Sequence, residues 1–138
     1  MNNGTLYLIP TALAPGTAAQ VLSPQVREVV ASLSHFFAEE LRTARRFVSE
    51  LRTGRRIEEM TFFEMNKDTP KAETTQQLQL LRQGTDAGVL SEAGCPGVAD
   101  PGSVAVRWAH RNGVRVAPLV GPSSILLALM ASGLNGQS

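Results

Sequence analysis

Residues 87–119 read AGVLSEAGCPGVADPGSVAVRWAHRNGVRVAPL. Ala87–Leu90 is a short apolar run, Ser103–Asn112 has the spacing of a helix stopped by Gly113, and Val114–Leu119 is a second β-prone run. A strand, a helix and a strand in that order make one βαβ unit, whose two strands lie parallel. Between the first strand and the helix stands SEAGCPGVADPG, residues 91–102, with three glycines, two prolines, two acids and the chain's single cysteine. Asp100 and Pro101 suit the N-cap and first position of the helix that follows. Capping does not explain a connection of about ten residues where two to six are usual. Glycines that let a ligand approach the main chain, at the carboxyl end of a parallel strand, mark this stretch as a ligand loop.

The same alternation runs outward to both ends. Thr5–Ile9 (TLYLI) reads as a buried strand stopped by Pro10. Ser23-Pro24 opens a helix with Val26, Val29, Val30 and Leu33 on one face. His35–Ala38 is a second strand candidate, and Glu39–Arg52 a charged helix with an apolar stripe at Leu41, Ala44, Val48 and Leu51, ended by Gly54. Met60–Met65 is a third strand candidate, and Pro70–Gln83 a helix ended by Gly84. The expected fold class is α/β: an open, mainly parallel five-stranded sheet with helices on both faces. The order of the strands is not legible at this level.

With 138 residues the chain has the length of one domain, and 43% apolar with 18% charged residues is the balance of a globular protein. A net charge of +1 gives no global attraction to nucleic acid or anionic membrane. Met1–Gly4 lacks the basic start of a signal peptide, and Ile125–Ala131 is far shorter than the roughly 20 residues of a membrane span, so a cytoplasmic protein is expected. One cysteine and two scattered histidines exclude a disulfide framework and argue against a zinc site. Cys95 has no histidine nearby in sequence to activate it and reads as a small loop residue, not a nucleophile.

Two further features frame the function. Val120–Ser124 (VGPSS) is a second junction into a helix, suited equally to capping or to a polar ligand group. Arg42, Arg45, Arg46, Arg52, Arg55 and Arg56 form a basic cluster among Glu39, Glu40, Glu50, Glu58 and Glu59, which favours a solvated, ion-paired face over an RNA patch. The run Ile125–Ala131 is apolar all round a helix and needs cover that seven further residues do not supply. The expectation is therefore an N-terminal α/β domain over residues 1–120, with residues 121–138 forming the junction and first helix of a second, truncated domain; a partner subunit covering that helix is the alternative.

The loop SEAGCPGVADPG, followed one βα unit later by VRVAPLVGPSSILLALMASGL, closely resembles the tetrapyrrole methylase superfamily. The nearest branch is the rRNA small-subunit methyltransferase I type, a ribose 2'-O-methyltransferase whose loop reads like D-A-G-T-P-x-x-x-D-P-G. GTLYLIPT at Gly4–Thr11, AEELRTAR at Ala38–Arg45 and PKAETTQQLQLLRQG at Pro70–Gly84 resemble that branch in the same order. The resemblance implies S-adenosylmethionine as cofactor, in a cleft between two α/β domains of a homodimer, with RNA ribose or an uncharacterised substrate as the acceptor and no metal. It implies cofactor contacts at Pro10, Gly94, Cys95, Pro96, Asp100, Ser123 and Ser124, and substrate contacts at Glu39, Arg42 and Arg45; it names no catalytic side chain. The first-strand loop PTALAPG lacks the G-x-G-P-G of the porphyrin-methylating branch, which counts against a tetrapyrrole C-methyltransferase. A non-catalytic dimerisation module, and another α/β enzyme holding a phosphate-bearing ligand at Gly94–Gly102, are the remaining readings.

Overall fold

Two aromatic pairs and a line of branched aliphatics decide where the core sits, in a computed structural model that describes residues 2–11, 24–91 and 99–119. The strands are β1 (Thr5–Pro10), β2 (His35–Ala38), β3 (Thr61–Glu64), β4 (Ala87–Ser91) and β5 (Arg115–Pro118). The helices are α1 (Pro24–Ser32), α2 (Leu41–Glu50), α3 (Lys71–Arg82) and α4 (Ala99–Arg111), with a 3₁₀ turn at Ile57–Glu59 before β3. The strands form one sheet in the order β3-β2-β4-β1-β5, every pair parallel. The expected α/β architecture is what forms.

Side chains alternate between the two faces, so each strand feeds two cores. Leu6, Leu8, Phe37, Ala87 and Val89 pack with Leu78 and Leu81 of α3 and with Ala105, Val106, Trp108 and Ala109 of α4. Ile9, Phe36, Ala38 and Leu90 pack on the opposite face with Val26 and Val30 of α1 and with Ala44, Phe47 and Val48 of α2. Cover on both faces explains why the strands read as continuous apolar runs rather than alternating ones. At the edge, Phe36 stacks on Phe62 at 5.2 Å and Phe37 tilts against Phe63 at 5.0 Å, one pair per face of the β2–β3 ladder.

Three boundaries differ from the sequence expectation. Strand β1 runs through Pro10, which pairs with Ser91, instead of ending at Ile9. Leu8 O accepts a hydrogen bond from Leu119 N at 3.0 Å, so the even-numbered residues of β1 turn their backbone groups toward β5. Pro10 lies past Pro118, the last residue of β5 in the ladder, so its missing N–H falls outside the β1–β5 pairing. Helix α4 begins at Ala99, so Asp100 and Pro101 are its second and third residues, not the N-cap and first position. A proline is tolerated there because first-turn N–H groups have no partner within the helix. The residues between β4 and α4, 92–98, lie outside the described residues.

Helix α2 starts at Leu41 instead of Glu39, with Glu40 as its N-cap. The Glu40 carboxylate accepts from Arg42 N at 3.1 Å, from Thr43 N at 2.6 Å and from the Thr43 hydroxyl at 2.6 Å. The hydroxyl first, then the two amides, hold its pKa below the usual glutamate range. Gly84, in the left-handed region at φ 92°, ends α3 as its position after the last helical turn requires.

The first residues tie the sheet's amino edge together. Gly4 N donates to Leu81 O at 2.6 Å, and Thr5 N to the Asp86 carboxylate at 2.7 Å. A Cβ on Gly4 would overlap the carbonyl of Thr85, which is backbone and cannot swing aside. Gly4→Ala is expected to lower stability by about 2 kcal/mol or more, read as a shifted urea midpoint at unchanged slope. Glu40→Ala is expected to lower the melting temperature at neutral pH. A carboxylate with a depressed folded-state pKa stabilises above the unfolded value and loses that effect as pH falls through the folded one. The gap between the wild type and Glu40→Ala should therefore narrow below the usual glutamate range; a gap independent of pH would refute the cap.

Candidate functional site

The carboxyl edge of the sheet is where the chain's candidate residues converge. Strands β1 and β4 are neighbours with Pro10 opposite Ser91, so the connections at residues 12–23 and 92–98 leave from adjacent positions. The first leads to α1 on one face of the sheet and the second to α4 on the other. Adjacent strands that send their connections to opposite faces open a crevice between them, the usual ligand position in an open parallel sheet. Strand β5 lies on the far side of β1 and delivers its own continuation, from Leu119 onward, to the same edge.

Of the expected cofactor contacts, Pro10 is buried at the end of β1 and Asp100 lies in the first turn of α4. Gly94, Cys95, Pro96, Ser123 and Ser124 fall outside the described residues, as does the junction at 121–138. The strands from which these segments depart (β1, β4 and β5) are three consecutive members of the sheet. The topology thus brings to one edge what lies more than a hundred residues apart in sequence.

Beside this crevice, the start of α2 closes over a cavity of about 10 Å3, lined by Thr11, Ala38, Leu90, Phe47, Glu40 and Thr43. That is the room of about one water. It is polar on the side of Thr11, Thr43 and the Glu40 cap, and apolar on the side of Phe47 and Leu90. Glu40 and Thr43 were not singled out from sequence. The signal was an acceptor followed three residues later by a hydroxyl, hidden because glutamate is not a preferred N-cap.

The residues expected to touch substrate lie just before α2 and in its first two turns. Glu39 follows β2, and its backbone carbonyl accepts from Asn66 Nδ2 at 3.3 Å. Its Oε2 is buried without a hydrogen-bond partner among the described residues. Arg42 is exposed on the first turn of α2, whereas Arg45 lies over the Phe62 ring at 5.6 Å. The wider arginine cluster is divided among structural tasks. Arg55 donates to the carbonyls of Ala31 and Leu33 and to the Ser34 hydroxyl, closing the end of α1. Arg27 reaches Arg52 O at 2.5 Å, while Arg46 and Arg56 stand near Glu50 and Glu58 at 3.8 and 3.6 Å. Among the described residues there is no group of three or more His, Cys, Asp or Glu placed to hold a metal. No described helix is long and apolar enough to cross a membrane.

No protein-family model matches the chain. Curated proteins do. It is 32% identical over 131 residues to ribosomal RNA small subunit methyltransferase I of Xylella fastidiosa (strain Temecula1), covering 95% of this chain and 45% of that protein. The protein of the same name from Micromonospora olivasterospora is 33% identical over 133 residues, 96% of this chain and 40% of the relative. That from Escherichia coli O157:H7 is 32% identical over 133 residues, 96% of this chain and 44% of the relative. The chain is thus similar to proteins named ribosomal RNA small subunit methyltransferase I along nearly all of its own residues and less than half of theirs.

Proposed function

We propose that this chain is the cofactor-side domain of an S-adenosylmethionine-dependent methyltransferase acting on a ribose hydroxyl of small-subunit ribosomal RNA. The observation that carries this reading is the match to the family along the whole α/β unit, not at one motif. The carboxyl edge supports it, since the connections after β1, β4 and β5 all leave from neighbouring strands.

The described cavity under α2 is of one-water size, and we assign the cradle of the nucleoside-bearing cofactor elsewhere. That role falls to the connections beginning after Pro10 and Ser91, with Gly94-Cys95-Pro96 presenting backbone and Ser123-Ser124 presenting hydroxyls. The cofactor supplies a methyl group already activated on a sulfonium. The protein's contribution is then orientation: holding the acceptor oxygen in line with the methyl carbon, and excluding water, with little acid–base work. Asp100, in the first turn of α4, belongs to the same set of cofactor contacts. The working form is a cytoplasmic homodimer in which residues 121–138 lead into a second domain that forms the facing wall. The length of the relatives supports that part of the reading.

Three measurements test it. Calorimetric titration of S-adenosylmethionine into the 138-residue chain should show no saturable binding in the micromolar range, because one wall of the cleft is lacking; a micromolar Kd would overturn the divided site. In a protein extended to the relatives' length, labelled methyl groups should enter RNA when small ribosomal subunits are supplied. Gly94→Val there should weaken cofactor binding at least roughly tenfold with an unchanged circular dichroism spectrum. Label appearing in a tetrapyrrole and not in RNA would reject the acceptor assignment.

A further inference from the structure

Away from the carboxyl crevice, α3 and α4 lie side by side on one face of the sheet and leave a groove of about 330 Å3 between them. Lys71 and Thr75 of α3 line one wall, Val104, Arg107 and Arg111 of α4 the other, and Trp108 lies at its base. Lys71, Arg107 and Arg111 are exposed, and Trp108 is 4% exposed.

The charge here is unlike that of α2. Arg107 and Arg111 are four residues apart and share a helix face, where like charges oppose helix formation. No carboxylate stands three or four residues from either of them, and none lines the groove. Arg111 gains from its place at the helix C-terminus, but Arg107, a turn earlier, gains far less. Arg46 and Arg56, by contrast, each face a glutamate. Lys71, Arg107 and Arg111 make no ion pair or hydrogen bond with a described residue. Lys71 is the first residue of α3, which follows the carboxyl end of β3, and Arg111 is the last residue of α4 before the chain turns into β5. The cations therefore line a track that starts at the sheet edge bearing the crevice and runs along the outer face toward the opposite edge.

The geometry points to this groove as a phosphate track for RNA: Lys71, Arg107 and Arg111 hold the backbone of the strand whose target nucleotide lies at the crevice. The assignment rests on the RNA reading above. With Trp108 buried and no exposed aromatic among the lining residues, the track grips phosphates without stacking or reading bases. It places RNA and sets the affinity's salt dependence, leaving the choice of nucleotide to other contacts.

Trp108 is the chain's single tryptophan, so its emission reports on this groove alone. Dye-labelled small-subunit ribosomal RNA fragments titrated with the chain should gain anisotropy, and the same RNA should alter Trp108 fluorescence over the same concentrations. Arg107→Ala/Arg111→Ala should weaken binding roughly tenfold or more and reduce the slope of log K against log salt by about 1.4. Lys71→Ala should act in the same direction, while Arg46→Ala and Arg56→Ala should change neither readout. Melting curves confirm that each variant is folded; all the substituted residues are exposed. RNA binding that is equal in the wild type and the double variant, or anisotropy gained without a Trp108 response, overturns the groove while the RNA reading stands. RNA that does not bind at all, with poly-glutamate binding in an Arg107- and Arg111-dependent way, overturns the groove as an RNA site and counts against the RNA reading itself.

Discussion

The parallel pairing of β1 with β4 is the constraint on which the carboxyl edge depends. Leu6 through Pro10 run beside Ala87 through Ser91, one residue to one residue, and Tyr7 stands opposite Gly88. Gly88 is what allows the sheet to be covered there. A Cβ at that position would come within 2.5 Å of Ile9 Cδ1 and 3.1 Å of Leu33 Cδ1, in the layer under α1. With no side chain at Gly88, Ile9, Leu33 and Phe36 fill the space and α1 can sit close on the sheet. Because β1 feeds that face and β4 feeds the other, their connections part at the point where the two strands end. A different strand order would separate Pro10 from Ser91 and leave no crevice between their loops.

The number and type of elements were legible in the sequence because each is encoded locally. Short apolar, β-prone runs marked all five strands, and helical spacing or a closing glycine marked α1 to α4. The order β3-β2-β4-β1-β5 was not legible, since it depends on contacts between segments more than seventy residues apart, such as Leu6 with Ala87. Boundaries failed where a rule about one residue met a specific neighbour. Pro10 does not stop β1 because the β1–β5 ladder ends before it; Pro101 does not open α4 because a first turn tolerates it two positions further in. The cap of α2 was missed because Glu40 succeeds as an acceptor through Thr43, a pairing outside the usual list.

The candidate site was legible to a different depth. A segment such as Gly94–Gly97 announces itself as a ligand-loop candidate by composition, since a close approach or a turn asks for glycine and proline. Side chains that contact a substrate through charge do not. Six arginines between Arg42 and Arg56 read as one cluster on a solvated, ion-paired face; Arg46 and Arg56 do face carboxylates, but Arg55 closes a helix end and Arg45 lies on Phe62. Proximity in sequence placed them on one segment, and folding distributed them among separate partners.

The reverse holds for Lys71, Arg107 and Arg111, which come from segments more than thirty residues apart and draw no notice in a chain of net charge +1. A near-neutral total is compatible with a strong local field when acids and bases are sorted unevenly over the surface. The useful distinction among cations is therefore not how densely they occur but whether the fold has given each one a partner. An arginine bonded to a helix-end carbonyl is already compensated, and removing it costs stability. An exposed pair on one helix face without a carboxylate costs stability while it remains. That cost is offset only when an anion arrives, so unpaired cations mark a binding surface better than the denser cluster does.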